Sequence, residues 1–314
     1  MSSRTENNTN ELTAMDKERL SIEMEIPKYV ADKAMNYQIE EFRAFFNRVD
    51  VRGKRVLEIG SDYHLAVARL FSANGATRVI ATNIGNWHSA EPLPSNVEFR
   101  VGDVGDLDFE RNGFDIIYGV AILEHIPDLD KVAAKIDSLL RRDGVAYLHG
   151  CPLWPGRLGH HVVVRKEKED LETAPTVDVE DMQLNLYEFT DEKKNPIPEW
   201  AHLVFSPAQL TEFLIARSIP QQHAERIVKF VYNVDGAMTG SCSNFKSASE
   251  ILGILEQRFE LQIERIWDNN TNEYFAAALA KYSEMDLRTL GLRLWLKPKR
   301  WSFRKLWSRG NSSP

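Results

Sequence analysis

The amino-acid sequence predicts an α/β fold in which helices cover both faces of a doubly wound, mostly parallel seven-stranded sheet. Three observations predict it. Short apolar runs alternate with helical stretches between residues 54 and 150, two more strand-like runs follow residue 257, and 43% of the residues are hydrophobic. Alternating short strands and helices require crossover connections, which give a parallel sheet that is buried on both faces.

The length and composition are those of an ordinary globular protein. The chain has 314 residues, of which 27% are charged, so it is long enough to bury a large core. Its two cysteines, Cys151 and Cys242, are too few for a disulfide framework and indicate a reducing compartment. The sequence shows neither a signal-peptide pattern nor 18 consecutive apolar residues. We therefore expect a cytoplasmic protein.

The chain divides into five segments. Residues 1–15 are polar and are expected to be disordered. Residues 16–50 have helical apolar spacing, with a buried stripe that includes Phe42 and Phe45. Residues 51–150 and 258–284 form the predicted core. The predicted strands are Arg55–Ile59, Arg78–Thr82, Val97–Val101, Phe114–Tyr118, Val145–His149, Phe259–Trp267 and Tyr274–Lys281.

The remaining two segments interrupt and follow this core. Residues 151–257 contain five prolines before residue 200, and a helix is predicted to begin at Ser206 with Pro207 in its first turn. This segment is predicted to be an insertion that covers the strand tips and shapes a substrate pocket. Residues 285–314 form a basic, aromatic tail.

Charge is distributed unevenly between these segments. The whole chain has a formal net charge of −7, but residues 287–314 hold eight basic residues and no acidic one, so residues 1–286 carry −15. Basic helical segments with tryptophan suit the plane of an anionic membrane surface. We expect either peripheral membrane binding or docking of this tail on the acidic body. Nucleic acid is not expected, because no nucleic-acid module accompanies the tail.

The core carries a series of motifs in a fixed order. They are RVLEIG, RVIATN, VEFRVGDV, FDIIYGVAILEHIPD and LLRRDGVAYLHG, and the fourth is the most specific. Together they resemble the class I methyltransferases that use S-adenosylmethionine, over roughly residues 50–150 and the last two strands.

The resemblance implies a set of cofactor contacts. Gly60 and Ser61 would pack against the methionine part, which Glu58 would orient. Asn83 would meet the ribose hydroxyls, and Asp103 with the Val104 N–H would bind adenine. Gly119 and Val120 would face the methionine backbone.

The sequence departs from the family pattern at two places. Asp62 and His64 stand where small residues are usual, and Asn83 replaces the ribose carboxylate. A lost charge-assisted hydrogen bond costs about 1–3 kcal/mol, which weakens binding without abolishing it. A catalytically silent fold member, acting as a binding or scaffold subunit, therefore stays an alternative to an enzyme.

The predicted reaction is O-methylation. Methyl transfer to a hydroxyl needs alignment and a base, and histidine is the natural base near neutral pH. His160 and His161 are the first candidates because they lie just past a strand tip, and His125 is the third.

The predicted acceptor is a saccharide or a similar small molecule. GRLGHH, IPEWAHLVFSPAQL and ERIVKFVYNVD resemble the insertion of bacterial methyltransferases of sugar and surface-polysaccharide assembly. N-methylation, metal dependence and oligomeric state stay open, since no metal-ligand set can be assembled from spacing.

Overall fold

The computed structural model describes residues 23–86, 88–162, 195–234 and 243–299. Within them lies a seven-stranded sheet with the strand order β3-β2-β1-β4-β5-β7-β6. The strands are β1 Arg55–Ile59, β2 Arg78–Asn83, β3 Val97–Val101, β4 Phe114–Gly119, β5 Leu140–Gly150, β6 Phe259–Trp267 and β7 Thr289–Pro298. All pairs are parallel except those made by β7, which is antiparallel to both β5 and β6. The predicted fold class is confirmed.

Helices cover the sheet and form the segment between β5 and β6. They are α1 Lys28–Lys33, α2 Asn36–Phe46, α3 Ala66–Ala73, α4 Leu129–Leu139, α5 Ala201–Val204, α6 Pro207–Ala216, α7 Gln221–Tyr232, α8 Ala248–Leu255, α9 Glu273–Ala278 and α10 Glu284–Arg288. The Ser206 hydroxyl accepts from the Gln209 amide at the start of α6, as predicted. None of the helices in the described ranges is long and apolar enough to cross a membrane.

Aromatic side chains fill one face of the sheet beneath α2. Phe42 and Phe45 are fully buried, as the sequence pattern predicted, and the Phe45 ring stacks on Trp295 with centroids 5.4 Å apart. Phe71 of α3 and Tyr118 of β4 complete this cluster at centroid distances of 4.8 to 6.4 Å from the Phe42 and Phe45 rings. The N-terminal extension is therefore part of the core packing.

The inserted segment has a core of its own. Trp200, Leu210, Leu214 and Ala224 are fully buried there and pack with Phe275 of α9. Residues 163–194 and 235–242 of the predicted cover lie outside the described residues.

The strand predicted over Tyr274–Lys281 is wrong. This segment contains the helix α9, whose start is capped by the Asn272 side chain accepting from the Phe275 amide. The segment contains several alanines, and alanine has the highest helix propensity of any residue type. A polar N-cap before alanines predicts a helix, whereas the apolar content alone does not distinguish helix from strand.

The seventh strand instead lies in the predicted tail. Leu292, Leu294 and Leu296 of β7 are fully buried and recur at the period-two spacing of a strand. Trp295 points to the opposite face of the sheet and is only 8% exposed, because that face is covered by α2. The prediction of a membrane-interface helix is therefore wrong for residues 289–298. Four of the eight cations, all at or after residue 300, lie outside the described residues.

A buried carboxylate ties this strand to the N-terminal extension. Glu41 of α2 is 4% exposed and accepts two short hydrogen bonds, from the Arg293 guanidinium at 2.6 Å and from the Tyr147 hydroxyl at 2.5 Å. Burial by itself raises the pKa of Glu41, but these two hydrogen bonds hold it below its usual value. Arg293, one of the cations of the predicted tail, thus stabilises the packing of α2 against β7.

Removing this carboxylate should destabilise the whole protein. Glu41→Ala leaves the half-buried guanidinium of Arg293 and the buried hydroxyl of Tyr147 without their partner, so we expect a loss of about 2 kcal/mol in the free energy of unfolding. Urea denaturation measures it, with the exposed Glu260→Ala on β6 as the control. Equal midpoints for the two variants would contradict the assigned role of Glu41.

Candidate active site

A cleft of about 470 Å³ opens at the carboxyl ends of the parallel strands. This is where ligands bind in open α/β sheets. The residues that line it are Ile59, Gly60, Thr82, Asn83, Ile84, Gly102, Asp103, Val104, Ala121, Ile122, His125, Ile126, Pro127 and Val132. Five of the residues predicted to bind cofactor or substrate are among them, namely Gly60, Asn83, Asp103, Val104 and His125.

The turn after β1 forms the floor of the cleft. Gly60 has a φ of +75°, which glycine adopts without strain, and a Cβ there would meet the Ile122 side chain at 2.5 Å. A Cβ on Gly119, which ends β4, would meet the same side chain at 2.2 Å. Both glycines therefore make room for Ile122, which lines the cleft between them.

Glu58 and Ser61 lie beneath this floor. They are 4% and 1% exposed, and neither lines the cleft. Burial and the neighbouring charge of Asp62 raise the pKa of Glu58 to about 8. Its Oε2 atom is buried without a hydrogen-bond partner among the described residues. The side chain is therefore largely protonated at neutral pH.

The end of β2 contributes an amide where a carboxylate is usual. The Asn83 side chain donates to the Ser61 carbonyl at 2.7 Å and accepts from the Gly85 amide at 2.9 Å. It thus holds together the loops after β1 and β2. Its second N–H remains to donate to a ligand oxygen.

The loop after β3 presents an acidic residue to the cleft. One oxygen of Asp103 accepts from the Gly105 amide at 2.7 Å, which orients the side chain and leaves the second oxygen to accept from a ligand. Val104 is 5% exposed and provides an apolar wall. An acceptor beside an apolar wall suits the amino edge and face of a purine.

A histidine of β5 holds the loop after β4. The His149 ring accepts from the Ala121 amide at 3.1 Å, and its Nε2 atom lies 3.9 Å from the Glu41 carboxylate. Burial lowers the pKa of His149 to about 4, so the ring is neutral. Ala121 has a φ of +53°, a conformation that non-glycine residues rarely adopt. Gly119 and Val120 do not line the cleft.

The N-terminal extension secures the loop that lacks the usual glycines. The Tyr29 hydroxyl hydrogen-bonds the His64 ring at 2.8 Å and donates to the Ser89 hydroxyl at 2.9 Å. Asp62 accepts from the amide of Ala66, the first residue of α3, at 2.8 Å. The two atypical residues of the loop thus have structural partners.

Tyr37 of α2 faces the same end of the sheet. It is 38% exposed, yet burial and the nearby carboxylates of Asp62 and Glu124 raise its pKa. These two carboxylates belong to the loops that follow β1 and β4. The sequence position of Tyr37, on a helix before the first strand, does not signal this placement.

The three candidate histidines lie in different environments. His125 lines the cleft, and its ring meets that of His161 edge-on with centroids 5.0 Å apart. His161 lies behind it, and burial lowers its pKa to about 3. His160 is 2% exposed, and its ring packs on His202 at 5.2 Å, away from the cleft lining. Burial lowers the pKa of His160 as well.

The positions of these three histidines decide which of them could act as a general base. A histidine with a strongly lowered pKa is a weak proton acceptor at neutral pH. Of the three candidates, His125 is the one that lines the cleft. The catalytic role of each histidine remains a prediction.

Sequence comparison identifies the domain that builds this cleft. Residues 31–158 match the family described as a methyltransferase domain. A curated relative, the fatty-acid O-methyltransferase of Mycolicibacterium smegmatis (strain ATCC 700084 / mc(2)155), is 29% identical over 125 residues, which is 38% of this chain and 46% of the relative. The chain therefore spans less than half the length of that relative.

Solved structures with a similar arrangement include two methyltransferases. The S-adenosylmethionine-dependent methyltransferase from Mesorhizobium loti has a TM-score of 0.45 and 14% identity, over 83% of this chain and 96% of that one. The phosphoethanolamine N-methyltransferase 2 of Haemonchus contortus, in complex with S-adenosyl-L-methionine, has a TM-score of 0.44 and 13% identity, over 84% and 53%.

The raised pKa of the buried Glu58 carboxyl predicts that the stability of the protein depends on pH. Below pH 4.5 Glu58 is protonated in both states, whereas between pH 4.5 and 8 the unfolded chain loses this proton and the folded protein keeps it. The stability that the protonated Glu58 allows is therefore lost progressively as the pH rises from 4.5, and the loss is complete above pH 8. Glu58→Gln should therefore gain on the order of 3 kcal/mol in unfolding free energy, relative to the unmodified protein, between pH 5 and pH 8.

Thermal and urea unfolding at several pH values measure this gain. The exposed Glu91→Gln is the control and should track the unmodified protein at every pH. A Glu58→Gln difference that does not vary with pH would show that the Glu58 carboxyl ionises normally.

Proposed function

Because residues 31–158 match a methyltransferase domain, the class whose members use S-adenosylmethionine, we propose that the protein is an S-adenosylmethionine-dependent methyltransferase that methylates an oxygen atom of a small-molecule acceptor. One observation carries the proposal. The cleft at the carboxyl ends of β1 to β4 is lined by four of the eight residues that the family resemblance assigns to the cofactor, namely Gly60, Asn83, Asp103 and Val104.

The cleft suggests how each part of the cofactor is held. Asp103 accepts from the adenine amino group, and Val104 packs on the ring. Asn83 donates to a ribose hydroxyl through its remaining N–H. Gly60 leaves room for the methionine part close to the backbone, as the resemblance implies. A neutral Asn83 binds ribose less strongly than a carboxylate does, so we expect modest affinity.

The transfer itself is an in-line displacement. Bound S-adenosylmethionine would supply the methyl group to the acceptor oxygen, and the electron pair of the broken carbon–sulfur bond would stay on sulfur to leave S-adenosylhomocysteine. Alignment of the acceptor oxygen with the methyl group is the main contribution of the protein. The acceptor oxygen must lose its proton before or during the attack.

Two acceptor classes fit this chemistry. A carboxylate is already ionised at neutral pH and needs no base, which suits a cleft whose His125 packs against a His161 ring of lowered pKa. The relative from Mycolicibacterium smegmatis, named for a fatty acid, supports this class. A saccharide hydroxyl does need a base, for which His125 has the required exposure. The saccharide is supported by the resemblance of the inserted segment alone.

A catalytically silent protein is the competing function. Two observations favour it: Asn83 stands in place of the ribose carboxylate, and its oxygen already accepts from Gly85. In that case the protein would act as a binding or scaffold subunit. Cofactor binding separates the two functions.

Asp103 should be required for cofactor binding. Asp103→Asn replaces one acceptor oxygen by an amide donor, so we expect at least a tenfold weaker affinity for S-adenosylhomocysteine, which corresponds to about 1.4 kcal/mol. Calorimetry measures it. Asp106→Asn, on the same loop but paired with Lys131 at the surface, is the control. No binding by the unmodified protein at millimolar concentration would favour the silent function.

The acceptor class can be read from the product. With radiolabelled S-adenosylmethionine, we expect label in an acceptor carboxylate to be released by mild alkali, because a methyl ester hydrolyses there. Label on a saccharide hydroxyl is an ether and survives. A panel of fatty acids, sugar nucleotides and lipid-linked glycans tests both classes. Label recovered only on nitrogen would contradict O-methylation.

A further inference from the structure

Three side chains converge beside the cofactor cleft in a way that the methyl transfer does not require. The ligand-type atoms of Glu124, His125 and His161 all lie within 4.8 Å of one another. Glu124 and His125 belong to the loop after β4, and His161 follows β5, 36 residues later in the sequence. His125 also lines the cleft, so the cluster opens towards the bound substrates.

Glu124 brings a carboxylate that burial leaves incompletely paired. It is 1% exposed, and its Oε1 atom accepts from the Cys151 amide at 3.1 Å. Its Oε2 atom is buried and has no hydrogen-bond partner within the described ranges. An unpaired carboxylate oxygen away from water is costly unless a cation or a proton compensates it.

His161 is oriented as metal-binding histidines are. Its Nδ1 atom lies 2.7 Å from the Gly159 carbonyl. A carbonyl only accepts hydrogen bonds, so the ring proton is on Nδ1 and the Nε2 atom carries a lone pair. A backbone carbonyl that fixes the tautomer is the usual second partner of a metal-ligating histidine. The residue is held at a φ of +55°, a conformation that residues other than glycine rarely adopt.

The spacing of the atoms fits a small coordination sphere. The His125 Nε2 atom lies 3.9 Å from the Glu124 Oε1 atom. Ligand atoms bound at about 2.1 Å in a tetrahedron are about 3.4 Å apart, so side-chain movements of about 1 Å close the site. The His125 side chain is 27% exposed and lies at the border of the cleft.

We propose that Glu124, His125 and His161 form a binding site for one divalent transition-metal ion at the acceptor side of the cleft. Two imidazoles and one carboxylate select ions such as Zn²⁺, Mn²⁺ or Fe²⁺ over Mg²⁺ and Ca²⁺, which favour sites made of oxygen ligands alone. A water or an acceptor oxygen would complete the coordination sphere from the cleft.

This inference deepens the proposed function and rests on it only for the role of the ion. A cation at this position would bind the acceptor oxygen and lower the pKa of an acceptor hydroxyl. It also assigns His125 and His161 as ligands, in place of the base predicted from sequence.

The test measures ion binding directly on the full chain. Tag-free protein is dialysed against a chelator, which is then removed, and is titrated by calorimetry with MnCl₂, ZnCl₂ and MgCl₂ separately. We expect one Zn²⁺ or Mn²⁺ per chain, each bound at least tenfold more tightly than Mg²⁺. Loading with Co²⁺ should give visible absorption bands that report nitrogen ligands.

Variants assign the site to these residues. His125→Ala and His161→Ala should each weaken ion binding at least tenfold, and Glu124→Gln should do the same while its side-chain oxygen still accepts from the Cys151 amide. His223→Ala, on the half-exposed surface of α7, is the matched control and should bind as the unmodified protein does. Circular dichroism and thermal unfolding confirm that each variant is folded.

The outcomes separate this proposal from the proposed function. An unmodified protein that binds no transition ion, or a folded His161→Ala variant that binds it as tightly as the control, would overturn the metal site. S-adenosylhomocysteine binding to the same ion-free protein would then still support the methyltransferase. Intact ion binding without any cofactor binding would support the metal site and contradict the methyltransferase.

Discussion

The Glu41 carboxylate is the interaction on which the arrangement of this protein depends. It joins α2 to β5 through Tyr147 and to β7 through Arg293, and it faces His149, which in turn binds the Ala121 amide in the loop after β4. Any arrangement that separated the buried Glu41 carboxylate from these partners would leave it without compensation, which is strongly destabilising. The carboxylate therefore favours this one arrangement of the three elements. The same carboxylate therefore sets the position of the N-terminal extension, the last strand and one wall of the cleft.

The N-terminal extension also compensates for the unusual loop after β1. Where the family pattern has small residues, Asp62 accepts from the first amide of α3 and His64 is held by the Tyr29 hydroxyl. Tyr29 also reaches Ser89 beyond β2, so one side chain of the extension spans two loops that border the cleft. Departures from a motif thus have structural reasons here, and they do not by themselves indicate a lost activity.

Burial divides the histidines of the protein by the chemistry open to them. His160 and His202 pack on one another within the inserted segment, and the buried His149 of β5 faces Glu41 of α2. Each is held neutral because a charged ring would lose its hydration there. His125 differs because it borders the cleft. Imidazole nitrogens and carboxylate oxygens are common metal ligands, and this is why the convergence of His125 and His161 with Glu124 suggests an ion.

The sequence by itself determined the parallel core and the loops that form the cleft, because strand periodicity and the order of elements are local properties. Gly60, Asn83, Asp103 and Val104 line the cleft for that reason, and their contacts with a cofactor stay a prediction. The tertiary structure decided what depends on long-range packing. Leu292, Leu294 and Leu296 have the period-two spacing of a strand, but Trp295 on the opposite face is buried by α2 as well. A strand that is apolar on both faces and also carries basic residues has the composition of an amphipathic tail, which is why the sequence alone predicts a helix there. The convergence of Glu124 with His161 needs the turn after β5 to fold back onto the loop after β4, and no spacing in the chain encodes that distance.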